Sequence, residues 1–241
     1  MPRIHIGTRT LQGALERYAQ RFDLLEVRPD PKAPLRMQTL RRWRKAVPPT
    51  FVFTVVLPPE LAQLRPYDGS DVALENCLET ARILESPVIV VPTPPSVTPT
   101  AANRKRLADL VAKLPMDVVR VAWEPAGLWE QDEAQLLAHK IGVLLVRDAA
   151  REPLPPGQVV YTRLRGLGEA SRLSSVRAGK IARSLHSCRD AYIVVETDSP
   201  MKASKMLRER IEEDAQSALP RRAARARPFG RTLRTEDEEQ E

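Results

Sequence analysis

Glycine, aromatic residues, histidine and cysteine are all sparse in this chain. Ten glycines are spread over 241 residues. The early ones, Gly7 and Gly13, do not form the GxGxxG turn of a dinucleotide-binding fold. A GxxxxGKS/T phosphate loop is missing too, so neither standard nucleotide cradle is expected. Aromatic residues make up 5% of the chain, too few for a base-stacking platform. Cys77 and Cys188 have no CxxC partners and read as reduced structural thiols rather than zinc ligands. His5, His139 and His186 are scattered, which argues against a histidine-rich metal site. No GxSxG or Ser/His/Asp arrangement is present. No apolar run approaches the roughly 20 residues needed to cross a bilayer. Met1–Ile6 runs straight into a strand with no signal peptide before it. These features predict a cytosolic protein without membrane contact, metal or cofactor.

What the chain has in quantity is charge, proline and a rhythm. The net charge is +7, mostly from arginine, and a solvated surface is the simplest account of it. Twenty-two prolines punctuate loops, as in Pro92–Pro95 and Pro153–Pro156. Between them, short β-branched strands alternate with amphipathic helices. Strands are predicted at 3–7, 24–28, 51–57, 88–91, 118–124, 141–146, 159–164 and 191–196. The run Val88–Val91 is apolar on both faces, as a parallel strand buried on two sides must be. Helices are expected after strand one (with Leu11, Leu15, Tyr18, Ala19 and Phe22 on one face), at 37–46, 71–84, 101–114, 132–139, 173–185 and 201–218. Ser70 or Asp71 is the expected cap of the 71–84 helix, and Thr100 that of the next. Eight such alternations predict one (β/α)8 TIM-like barrel over residues 1–219. The stretch 149–158 shows no helix and is the weak point of the eightfold count.

From Pro220 the composition changes. Six arginines lie between Arg221 and Arg234, followed by Glu236–Glu239. A segment with so little to bury predicts a disordered charged tail over 220–241.

Period-two alternation assigns side chains to strand faces. Leu24, Glu26 and Arg28 share one face; Ala122 and Glu124 share another, with Arg120 at the opposite end. Tyr161, Arg163 and Arg165 go together, as do Tyr192, Val194 and Glu196. In a barrel, Glu26, Glu124, Asp148, Arg163, Arg165, Glu196 and Asp198 converge on the C-terminal rim, where TIM barrels carry their sites. Buried charges must be paired, so one reading is a purely structural salt-bridge network. The functional reading makes Glu26 and Glu124 acid and base, or the holders of a polyol, with Arg163 clamping a carboxylate or phosphate. Two carboxylates are also what glycoside hydrolysis uses, and two or three can hold magnesium or manganese. His5, on strand one, is expected to be a hydrogen-bonded core residue.

The order of short motifs resembles the domain of unknown function 72 family, a TIM-barrel family without an established general activity. The resemblance covers roughly residues 3–215. It is carried by Ile4–Thr8, by Tyr18–Phe22 leading to Glu26, by Thr39–Trp43 with Pro48, and by Phe51–Phe53. Pro94-Pro95-Ser96, Trp123-Glu124-Pro125 with Trp129, Tyr161–Gly166 and Thr197-Asp198 complete it. The resemblance implies rim residues at Glu26, Glu124, Trp129, Asp148, Arg163 and Asp198. Several of the family's polar partners are absent. Val56 stands where a lysine is usual, Val91 where a glutamine is usual, Ala126-Gly127 where an arginine is usual, and Arg165 where a histidine is usual. Arg9-Thr10-Leu11, Arg28-Pro29-Asp30 and Val195-Glu196-Thr197 also depart from the family pattern. Losing a lysine and an arginine from a carboxylate-lined rim weakens charge compensation, which Arg28 and Arg165 can restore.

Two expectations follow. One is a divergent or inactive enzyme that binds a small polar or anionic ligand through Arg163, Arg165, Asp148, Trp129 and Asp198, with Glu26 and Glu124 as catalytic candidates. The other is a non-catalytic protein whose basic surface and tail contact nucleic acid or an acidic partner.

Overall fold

Parallel pairing runs through every strand of the computed structural model, which describes residues 2–30, 33–166 and 172–218. The strands are β1 (Arg3–Thr8), β2 (Leu24–Val27), β3 (Val52–Val56), β4 (Val88–Thr93) and β5 (Arg120–Pro125), then β6 (Leu144–Leu145), β7 (Arg147–Asp148), β8 (Val159–Arg165) and β9 (Asp190–Glu196). Hydrogen-bonded order is β6-β5-β4-β3-β2-β1-β9-β8-β7. β6 and β7 flank Val146 and together occupy the sixth of eight barrel positions, β6 pairing with β5 and β7 with β8. The expected eight-strand barrel is therefore present and nearly closed. Its sixth strand is broken in two, and Ile141 lies in the turn that ends the preceding helix rather than in the strand.

Helices α1 (Leu15–Ala19), α2 (Met37–Ala46), α3 (Pro59–Ala62), α4 (Ser70–Ile83), α5 (Ala101–Val111), α6 (Gln131–Lys140), α7 (Ser175–Leu185) and α8 (Pro200–Ala218) fill the connections. Among the described residues, and apart from the one-residue link between β6 and β7, the β7–β8 connection alone has none, as the proline-rich 149–158 stretch implied. α1 is shorter than its apolar spacing suggests: Leu11 and Phe22 lie outside it, although Leu15, Tyr18 and Phe22 are all buried. Thr100 caps α5 as expected, its side chain accepting from the Asn103 N–H at 3.2 Å. α4 is not capped by Ser70 or Asp71. Its cap position is Gly69 in a left-handed conformation (φ 90°), and no side chain bonds the first turn. The segment 220–241 lies outside the described residues.

Strand alternation sorts the core into an inside and an outside. Leu24, Val56, Val88, Val90, Ala122, Val146, Tyr161 and Val194 pack together within the barrel. Leu25, Val27, Phe53, Val55, Ile89, Val91, Val121 and Trp123 face the helices of one half. Ile6, Val160, Leu164, Ile193 and Val195 face those of the other. Each such aliphatic side chain contributes about 1.5–3 kcal/mol when fully buried. β1 and β2 approach closely at Gly7, where a Cβ would stand 1.7 Å from the Leu24 carbonyl oxygen. Tyr18 pins this crossing: its hydroxyl donates to Leu24 O (2.7 Å) and accepts from Thr8 N–H (2.8 Å). His5 is held differently from expectation. Its ring stacks on Tyr192 (centroids 5.5 Å apart) and, among the described residues, makes no hydrogen bond.

Candidate functional site

The inner-face parity of β2, β5, β8 and β9 carries four charged side chains to one level of the barrel mouth. Arg163 is at its centre, with no solvent exposure. Its Nε donates to Glu124 Oε1 at 2.8 Å and its Nη1 to Glu196 Oε1 at 2.9 Å. Its Nη2 lies 2.9 Å from Glu26 Oε2 but is out of line for a hydrogen bond, so that contact is Coulombic. One guanidinium thus ties together carboxylates from three other strands.

Glu26 is the deepest of the three acids. Tyr161, two residues before Arg163 on the same face, donates its hydroxyl to Glu26 Oε2 at 2.6 Å, and Thr54 Oγ1 lies 3.2 Å from that hydroxyl. Arg28 reaches back to Glu26 Oε1 through Nε (3.0 Å) and Nη2 (2.7 Å). Burial alone would raise the Glu26 pKa. The charges of Arg163 and Arg28 and the Tyr161 hydrogen bond outweigh burial and hold the carboxyl below its ordinary value. Burial works against the Arg163 charge as well, but Glu26 and Glu124 overcome it and raise its pKa. The Tyr161 phenol is pushed well above its ordinary value by burial and by the adjacent Glu26 charge.

A second, outer layer of guanidiniums surrounds this core. Arg165 Nη2 bonds Glu124 Oε1, and its Nε lies 3.4 Å from Glu196 Oε2. Arg9 Nη1 lies 3.6 Å from Glu196 Oε2. The side chains of Arg28, Arg165 and Arg9 are 37%, 42% and 51% exposed. Four arginines therefore meet three glutamates, leaving one formal positive charge, with the three most exposed side chains all cationic.

The structure thus brings together Glu26, Glu124, Arg163 and Arg165. Asp148, beside Arg163 in the β7–β8 ladder, stays at the edge. Its Oδ1 accepts from Ala150 N–H (2.9 Å) and more weakly from Arg165 N–H (3.4 Å), its Oδ2 is 3.3 Å from Arg151, and burial raises its pKa. Trp129 is engaged elsewhere, its indole N–H donating to Val97 O at 2.7 Å and its ring meeting Trp123 edge-on. Asp198 is exposed in the bend after β9 and forms no ion pair with the cluster. Thr54 and Tyr161 join the network without having been singled out as site residues. Thr54 is the one polar residue in the run Val52–Val56, and its inward parity was the available signal. No group of three or more potential metal ligands occurs among the described residues, and no described helix is long and apolar enough to cross a membrane.

A parallel eight-position barrel with ionic groups clustered at its C-terminal mouth defines a TIM-barrel protein. Within that class, the chain belongs to the family described as "Protein of unknown function DUF72", whose model matches residues 6–227. No curated protein matches it. Among solved structures it is similar to a DUF72 family protein from Enterococcus faecalis, at 14% identity and a TM-score of 0.70, covering 87% of this chain and 95% of that one. A DUF72 family protein from Thermotoga maritima shares 13% identity at a TM-score of 0.60, over 89% and 99% of the two chains. A xylose isomerase domain containing protein from Salmonella typhimurium shares 16% identity at a TM-score of 0.54, over 89% and 96%. At these identities the likeness is one of fold.

Proposed function

We propose that the barrel mouth binds a small anionic, oxygen-rich ligand through the exposed guanidiniums of Arg165, Arg28 and Arg9. The observation that carries this reading is the surplus cation of the mouth together with its layering. Arg163 is fully enclosed by carboxylates, so it orients Glu26, Glu124 and Glu196, and these in turn orient the outer arginines. Fixed, half-exposed guanidiniums are suited to carboxylate or phosphate oxygens, because little side-chain freedom remains to be lost on binding. A catalytic form of the same reading keeps Glu26 and Glu124 as acid–base candidates. Glu124 is the more accessible of the two, at 14% exposed. Trp129 and Asp148 are already bonded to the chain and receive no ligand contact in this reading.

The test is calorimetric titration of the protein with inorganic phosphate, citrate and sugar phosphates. Removing a charge-assisted hydrogen bond costs about 1.5–3 kcal/mol, so Arg165→Ala is expected to weaken binding by about tenfold or more. Glu124→Gln, which leaves Arg165 with only the longer contact to Glu196, is expected to abolish binding while the barrel stays folded. Unchanged affinity in both variants overturns the proposal.

A second reading, contact with nucleic acid, is favoured by α2. Arg41, Arg42 and Lys45 are exposed on it, and the helix has no acidic residue. Binding through these groups and the arginines of 221–234 would fall steeply with salt. If it occurs, deletion of 220–241 weakens it and flattens the salt dependence; no change in either removes this reading.

A further inference from the structure

The wall of the barrel is incomplete at one place, away from the mouth. β7 pairs with β8 through Arg147↔Thr162 and Asp148↔Arg163 only. Continuing that register toward the N-terminal ends would set Leu145 against Val160 and Leu144 against Val159. No ladder is formed there, because β6 pairs with β5 alone. Val146 marks the break, its N–H turned to Trp123 O at 2.8 Å. Peptide groups along both edges of the gap therefore lack a strand partner on that side, which is costly unless something else meets them. The missing β7–β8 helix leaves the gap covered by the proline-rich loop rather than by a packed element.

A cavity of about 260 Å³ occupies this gap. Leu144, Leu145, Val159 and Tyr161 wall it, the Pro155–Gln158 loop covers it, and Gln135, Arg120 and Arg189 stand around it. The local charge is positive. Arg120 is exposed and has no carboxylate partner among the described residues. Arg189 uses Nε on Asp190 Oδ2 (2.9 Å), and Arg3 takes Asp190 Oδ1 (2.5 Å). Two guanidiniums thus share one carboxylate, and the third, that of Arg120, has none among the described residues. His5 adds no charge near neutral pH, because burial lowers its pKa.

We propose that this seam is a second ligand site, for a small hydroxylated anion such as a sugar phosphate or sugar acid. Arg120 and the free Nη groups of Arg189 take the anionic end. The carboxamides of Gln135 and Gln158 and the unpaired strand edges take the hydroxyls, whose mixed donor and acceptor character matches peptide edges offering both. The volume lies just below the usual range of ligand pockets, which selects a compact molecule.

The experiment is a titration of the full-length ¹⁵N-labelled protein with ribose 5-phosphate, followed by amide shifts. Saturable shifts at Gly157, Gln158 and Leu145 are expected in the wild type. Arg120→Ala is expected to raise the apparent Kd read from those amides at least tenfold, and Arg165→Ala at the mouth is expected to leave it unchanged. Arg120 is exposed, so its replacement is not expected to affect folding, and the unchanged remainder of the spectrum verifies this. The absence of shifts at 157–158, shifts confined to the mouth around Arg165, or seam shifts indifferent to Arg120→Ala would each overturn the seam proposal. The second of these would leave the mouth reading standing, and loss of mouth binding alone would leave the seam standing.

Discussion

Replacing Arg163 with methionine isolates the electrostatic logic of the barrel mouth. The substitution keeps much of the apolar stem and removes the one charge that touches all three glutamates. Glu124 and Glu196 retain Arg165 at their exposed sides, but Glu26, with no side-chain exposure, keeps Arg28 as its one cation beside the Tyr161 hydroxyl. Removing one partner of a buried ion pair costs about 3–5 kcal/mol, because a charge is stranded rather than because an attraction is lost. At about 2–4 °C per kcal/mol for a domain of this size, the melting temperature should fall by roughly 6–20 °C at pH 7. The sign of the pH dependence follows from Glu26. In the wild type its folded pKa is depressed, so its contribution is present above its unfolded pKa and is lost as pH falls through the folded value. Without Arg163, the first of the charges that offset burial is gone and the folded pKa is expected to rise above the unfolded one despite Arg28 and Tyr161, so that the folded variant takes up a proton and gains relative stability on acidification. Urea denaturation at pH 7 and at about pH 5, near the unfolded glutamate pKa, should therefore show the gap between the two proteins narrowing as pH falls. Adding Glu26→Gln to the variant should recover part of the loss at pH 7. A cost below about 1 kcal/mol, as for a surface pair, or a gap that does not change with pH, would refute the buried-hub account.

Two further outcomes are expected. Gly7→Ala places a methyl group where the Leu24 backbone already stands, so it should lower soluble yield and destabilise the fold by more than about 3 kcal/mol, among the larger single-residue effects; near-wild-type denaturation would show that β1 and β2 can separate freely. Burial pushes the Cys77 thiol up to about 12 and raises that of Cys188, so neither should react with a disulfide reagent at pH 8 until the protein is unfolded; rapid native-state labelling would contradict the packing around α4 and α7.

The barrel itself was legible because its signals are local. Alternation along Tyr161–Arg165 or Leu24–Val27 assigns each side chain to a face from backbone geometry alone, whatever the strand later pairs with. Thr100 announced a helix start for the same reason, since its side chain bonds an amide three residues away. Legibility failed where an element's fate depends on distant chain. The Ser70 or Asp71 cap gave way to Gly69, which enters α4 in a left-handed conformation with no side chain bonding the first turn. Asp198 and Trp129 stand close in sequence to Glu196 and Glu124, yet one faces solvent and the other is tied to Val97.

Sequence alone determined that Glu26, Glu124, Arg163, Arg165 and Glu196 point inward near the strand ends, because side-chain direction is a property of a few consecutive residues. Only the tertiary structure decided that Arg163 is enclosed by three carboxylates while Arg9, Arg28 and Arg165 remain at the surface. It also decided that the sixth strand breaks at Val146 and leaves a seam. Those outcomes rest on the register and stagger of closure, which set distances between residues up to 187 positions apart (Arg9 to Glu196) and leave no periodic trace in the chain.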